Sequence, residues 1–298
     1  SLKTFVTSNE VFDAKRNSTI IQYDSKQKND VINNLNTFCD PKCEQHIRNR
    51  EMMNPNGLNN LLELLIPDQE NELLINTMKL VSLLSKYSLE LRDFIEPGGS
   101  ARISKIIDGR LKLLQSNENE DDNILVIRFA CALARSVSKS ENNKNMLSRT
   151  GTMDSIATII TLYSKIATTI DDDGNDNKYA ALVSDACVVM RSLCVHDDMR
   201  REMSCAMDNG KFFLSTNGIV SSLMAASSSF KKSPGLAGQA LAAAKTLVTT
   251  EDAVKTMALH GAMTLPAEIL AFPNAETQLI RNCLGLMRNL CADDLRKD

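Results

Sequence analysis

Five phrases recur along this chain in one order: an apolar helical segment, a small turn holding a glycine, a second apolar segment, then a longer helix closing on Arg-small-Leu. The marking glycines are Gly57 in NPNGLNNLLELL, Gly99 in EPGGSARISKII, Gly151 in SRTGTMDSIATII, Gly218 in STNGIVSSLMAA and Gly261 in LHGAMTLPAEIL, and they lie 42, 52, 67 and 43 residues apart. A glycine between two helical runs is expected at C′, where left-handed backbone ends a helix. Spacing near the shorter values belongs to helical solenoids, in which a unit buries its apolar face only against its neighbours. The longer separations carry insertions: an acidic loop from Thr168 to Lys178 and an extended stretch from Met199 to Asn217.

The long third helix of each unit carries the clearest period. From Tyr179 to Val195, residues Leu182, Val183, Ala186, Cys187, Met190, Leu193 and Cys194 recur at helical spacing and mark a core face. Corresponding helices are expected at about 70–85, 123–137, 235–248 and 275–291. Pro234 and Pro273 fall at or just before helix starts, where a missing N–H costs little, and Asp40-Pro41 has the form of an N-cap followed by N1. The closing phrases align with one another: ARSVSKSENNK at 134–144, MRSLCVHDDMR at 190–200, AKTLVTTEDAVK at 244–255 and MRNLCADDLR at 287–296.

Composition supports an all-α class. Aromatic residues make up 4% of the chain and Trp is absent, while Leu, Ala, Met, Ser and Asn dominate. Lys and Arg number 34 against 37 Asp and Glu, a net charge of -3 that lacks the positive excess of a nucleic-acid binder. No apolar run approaches the ~18 residues that span a bilayer, and the N-terminus lacks a signal pattern. Eight scattered cysteines, mostly within apolar helical stretches, fit packed free thiols in a reducing compartment. The expected setting is cytoplasmic, and also nuclear, with neither nucleic acid nor membrane as partner.

MRNLC, with Asn289, resembles the apolar-Asn-Leu signature that closes each three-helix repeat of the armadillo family. The phrases TFCDPKCEQ, DACVVMRSLCVHDDMR and GIVSSLMAASSSFKKSPGLAGQALAAAKTL are similar to those of the eukaryotic armadillo repeat-containing protein six family, over Val31 to Asp298. That family has no settled biochemical activity. The resemblance implies a right-handed α-solenoid, an armadillo-type superhelix of about five to six three-helix repeats. Residues 1–28 form an N-terminal extension and 29–298 the solenoid, with further repeats expected after Asp298.

In armadillo proteins that hold basic localisation signals, Trp and Asn ladders on the third helices clamp the peptide. This chain has no Trp, and the Asn position is taken by Ser136, Ser192, Thr246 and Asn289. The position just before it reads Arg135, Arg191, Lys245 and Arg288, with Arg128 and Arg281 two turns earlier. Arg forks bind carboxylates in pairs, so such a stripe on the concave face suits an extended acidic segment of a protein. The bland alternative is that these cations pair with Asp and Glu of neighbouring repeats.

Other chemistry is poorly supported. Cys39, Cys43 and His46 are spaced i, i+4, i+7, yet a structural zinc site takes four ligands, so no metal or cofactor is expected. DDDGNDN at 171–177 lacks the glycine position and final Glu of a calcium loop. No GxSxG, GxxxxGK[ST], HExxH or strand-linked GxGxxG occurs, and His46, His196 and His260 lie in different repeats, so the chain is not expected to be an enzyme. Its expected function is to bind a protein or peptide in the concave groove; the alternative is a scaffold joining folded partners, or itself, through convex or end surfaces. The residues leave the partner and the oligomeric state open.

Overall fold

The computed structural model describes residues 25–42, 61–87, 98–168, 177–194, 216–248 and 251–292. Among these residues there is no strand; residues 61–63 are helical, and twelve further helices have defined bounds. In chain order they are α1 (Ser25–Cys39), α2 (Asn71–Tyr87), α3 (Gly99–Gln115), α4 (Glu120–Val137), α5 (Glu141–Arg149), α6 (Thr152–Ala167), α7 (Lys178–Leu193), α8 (Thr216–Ser227), α9 (Pro234–Leu247), α10 (Glu251–Leu259), α11 (Leu265–Leu270) and α12 (Thr277–Ala292).

Two helical layers enclose the core. The long helices α1, α2, α4, α7, α9 and α12 stack in that order, each on the next. The second layer runs α3, α6, α8, and each of these also packs on the long helix that follows it in the chain. Helix α5 fills the junction between α3, α6 and α7, while α11 lies on α12. Each unit thus contributes one helix to each layer, as expected for a solenoid whose units are stable only when stacked.

Helical spacing explains which faces meet. On α7 the residues Leu182, Val183, Ala186, Cys187, Val189, Met190 and Leu193 are buried, as the apolar period predicts. Its start is fixed by Asn177, whose side chain accepts the Tyr179 N–H at 2.9 Å and whose amide donates to the Ile166 carbonyl at 2.7 Å, tying the cap to the end of α6. Helix α4 opens on Glu120, Asp121 and Asp122 and closes on Arg135, the charge order that the helix dipole favours. Between α3 and α4 the chain turns through Asn117 and Asn119, both with positive φ. Buried Arg110 braces this turn, donating to Asn123 Oδ1 at 3.3 Å and to the Gln69 carbonyl at 3.0 Å; burial lowers its pKa, against the pull of Asp68 and Asp122.

The glycine marks prove unequal. Gly151 and Gly261 take left-handed backbone, with φ of 85° and 87°, as helix-ending residues do. Gly218 lies inside α8 and Gly99 is the first residue of α3 after an extended Gly98, so neither is a C′ glycine. Sequence similarity there reflects the unit's register rather than its backbone angle. Gly57 lies outside the described residues, as do 169–176 of the acidic loop and 199–215 of the second insertion. Lys178, expected in that loop, is instead the first residue of α7. Asp40 does not cap a described helix: it follows α1 and accepts the Lys42 N–H at 2.8 Å in a turn. Pro234 does sit in the first turn of α9, while Pro273 occupies a turn several residues before α12 begins. The solenoid expected from residue 29 is preceded by four helical residues, since α1 starts at Ser25.

Candidate functional site

All ten residues expected for binding lie on the long helices α4, α7, α9 and α12. Arg135, Arg281 and Arg288 are exposed, Arg128, Arg191 and Lys245 half-buried. Among the described residues, Arg135, Lys245, Arg281 and Arg288 form no ion pair. The other two cations are engaged: Arg128 Nε meets Asp185 Oδ2 at 2.8 Å, and Arg191 Nη1 donates to Gln239 Oε1 at 3.0 Å. Lys245 lays its stem over Gly285, where a Cβ would stand 2.8 Å from Lys245 Cδ. A side chain at 285 would make the Lys245 stem shift from its path across α12.

The neighbouring ladder differs from its expected role. Ser136 Oγ lies 3.0 Å from Ser85 Oγ and 3.2 Å from the Ser82 carbonyl; Ser192 and Thr246 donate back to Val188 and Ala243 within their own helices. Asn289 donates to the Lys245 carbonyl at 3.1 Å. Each of these donors already has a protein partner: Ser136 and Asn289 tie their helix to the preceding one, while Ser192 and Thr246 are satisfied within their own helices. The cause is the close approach of stacked helices, where a short polar side chain meets a carbonyl on its own or the preceding helix before it reaches solvent.

A second row, absent from the sequence expectations, lies seven residues before that ladder. At these equivalent positions stand Asn76, Phe129, Asp185, Gln239 and Asn282. Every one contacts the preceding long helix: Asn76 donates to Asn29 Oδ1 at 2.9 Å, Phe129 lies under Lys79 Nζ at 4.9 Å, Asp185 takes Arg128, Gln239 takes Arg191, and Asn282 donates to the Gly238 carbonyl at 2.8 Å. We refer to it as the seam row. Its sequence signal was available: a polar or aromatic residue recurring at one position of an otherwise apolar helical face.

At the N-terminal ends of α4 and α7 the charges are balanced internally. Lys178 Nζ approaches Glu120 Oε1 at 2.6 Å and Asp121 Oδ1 at 2.7 Å, and Tyr179 donates its hydroxyl to Glu120. The hydrogen bonds from Lys178 and Tyr179 hold the Glu120 carboxyl below its usual range, while burial and the Glu120 bond push the Tyr179 hydroxyl up to about 12. Tyr163 stacks on Tyr179 with ring centroids 5.2 Å apart. Burial also raises the thiols of Cys131 and, to about 12, Cys187, leaving them protonated and poor nucleophiles at neutral pH. Of the candidate metal trio only Cys39 is described, and it is buried; Cys43 and His46 lie outside the described residues. No helix of the described residues is long and apolar enough to cross a membrane.

No family model and no curated protein matches this chain. Solved structures do. An engineered protein, Northeast Structural Genomics Consortium Target OR329, is similar over 97% of both chains, with a TM-score of 0.66 and 12% identity. A chain from a study of a conserved phosphorylation switch that controls the interaction between cadherin and beta-catenin has a TM-score of 0.50 and 12% identity; the match covers 96% of this chain and 61% of that one. At such identities the likeness concerns the fold alone, a helical-repeat array.

Proposed function

We propose that this chain is a non-enzymatic protein-binding module, an armadillo-type superhelix whose third-helix face forms a concave groove for an extended acidic segment. The observation that carries this reading is the row of Arg135, Lys245, Arg281 and Arg288, cations on one face with no acidic partner among the described residues. At the ~10 Å separation of packed helices, Lys245 on α9 lies one step from Arg281 and Arg288 on α12 and two steps from Arg135 on α4, so an extended chain at ~3.3 Å per residue meets them with carboxylates about three and six residues apart. The fold shared with a chain studied for cadherin and beta-catenin binding favours a peptide or protein partner.

The test is a fluorescence-anisotropy titration with a labelled peptide of about twelve residues bearing Glu at every third position. Saturable binding that weakens steeply from low to high salt, and at least about tenfold on Arg288→Glu, is expected. Binding indifferent to both would overturn the groove. The scaffold reading draws on a different observation, the exposed Leu259 and Met263 around α10 and α11, and requires an interface nearly insensitive to salt.

A further inference from the structure

The seam between successive long helices repeats so regularly that the face left uncovered on α12 can be read against four covered ones. On α2 the face toward the next helix consists of Leu74, Met78, Val81 and Ser85; on α4, Ile127, Cys131, Ala134 and Ser138; on α7, Val183, Cys187, Met190 and Cys194. All of these are buried, and each of the three helices packs on the next long helix. On α9 the set is Ala237, Leu241, Ala244 and Val248, the first three fully buried. The equivalent residues on α12 are Ile280, Leu284, Met287 and Cys291, at the same i, i+4, i+7, i+11 spacing, but Leu284 is 48% exposed and Cys291 is exposed as well. In the second layer, Met263 is 58% exposed and Leu270 47%, whereas Met153 and Ile160, at the same distance from their marking glycine, are buried.

Helix α1, at the other end of the described array, turns Lys26, Asp30, Asn33, Asn34 and Thr37 to solvent. Helix α12 therefore carries an apolar exposed face and α1 a polar one.

The seam on α12 also specifies charge. Arg281 and Arg288 occupy the positions of Arg128 and Arg191, the two cations that reach across to the seam-row residue of the next helix, Asp185 in one case and Gln239 in the other. Both α12 arginines are exposed and form no ion pair among the described residues. We infer that the α11–α12 face seats one more helical unit of the same kind, whose long helix lays an apolar i, i+4, i+7 stripe on Ile280, Leu284 and Met287 and carries a carboxylate at its seam-row position, opposite Arg281. Continuity with the seams already formed and the charge left over at Arg281 together define this occupant. A second copy of the chain docked through its own α12 would set Arg281 and Arg288 against like charges, and one docked through α1 would offer a polar face to an apolar one. The inference rests on neither the groove nor an acidic extended segment.

A probe for it already exists within the chain. Helix α7 covers the equivalent seam of α4, so a side-chain-stapled peptide of residues Asn177–Cys194, helical by constraint because short isolated helices are marginal, is titrated against the full chain under reducing conditions. Saturable binding is expected, weakened at least about tenfold by Leu284→Asp in the protein and by Asp185→Arg in the peptide, with the second loss reversed when Arg281→Glu protein meets the Asp185→Arg peptide. Leu284 and Arg281 are exposed, so both variants fold, and circular dichroism checks that they do. Absence of saturable binding, binding untouched by Leu284→Asp, or failure of the charge exchange to restore it overturns the proposal. So does a concentration-dependent dimer in sedimentation velocity that Leu284→Asp abolishes, which would assign this face to a second copy. The extended Glu peptide should bind the Leu284→Asp variant as it binds the parent chain, so the seam and the groove fail separately.

Discussion

Arg128 on α4 and Asp185 on α7 close a 2.8 Å ion pair across the seam between two stacked long helices, 57 residues apart in the chain. The pair removes one cation from the stripe on this face and exchanges it for an inter-unit contact. Because the side chains keep 40% and 38% of their surface exposed, solvent screens the attraction. A double-mutant cycle with Arg128→Ala and Asp185→Ala, read by urea denaturation, should give a coupling of about 1 kcal/mol or less that shrinks with added salt. A coupling several times larger would mean that this seam is far drier than its exposure indicates.

The cluster at Glu120 sets an acid limit on stability. Hydrogen bonds from Lys178 and Tyr179 depress the Glu120 pKa in the folded chain, so its contribution is present above the unfolded carboxyl value of about 4.3 and is lost as pH falls through the lower folded value. Thermal denaturation of the parent chain and of Glu120→Gln should therefore differ at pH 6 to 7, the variant being the less stable by about 1 kcal/mol or less, and the difference should shrink as the pH falls through the lowered folded value. A difference that grows in acid would reverse the assigned sign.

Leu241 and Leu284 occupy the same position on successive long helices and meet opposite surroundings, 0% and 48% exposed. Leu241→Ala opens a cavity in the core and should cost about 2 to 5 kcal/mol. Leu284→Ala should cost about 1 kcal/mol or less, because about half of its surface is already in water and Ala favours the helix. Chemical denaturation of both variants measures the contrast. Equal costs would show that α12 is covered in solution.

Local spacing was enough to establish the long helices, since apolar residues at 3.6-residue intervals need no knowledge of what covers them: α4, α7, α9 and α12 lie within a few residues of their expected bounds. The aligned closing phrases likewise put Arg135, Arg191, Lys245 and Arg288 at equivalent positions of successive long helices. Tertiary structure decided what each polar group meets. Ser136 and Asn289 turn to the preceding helix, Arg128 finds Asp185, and Leu284 stays in water while Leu241 does not. Each of those outcomes depends on a helix some 43 to 57 residues away in the chain, and a side chain's own periodic position records which way it points but not what stands opposite.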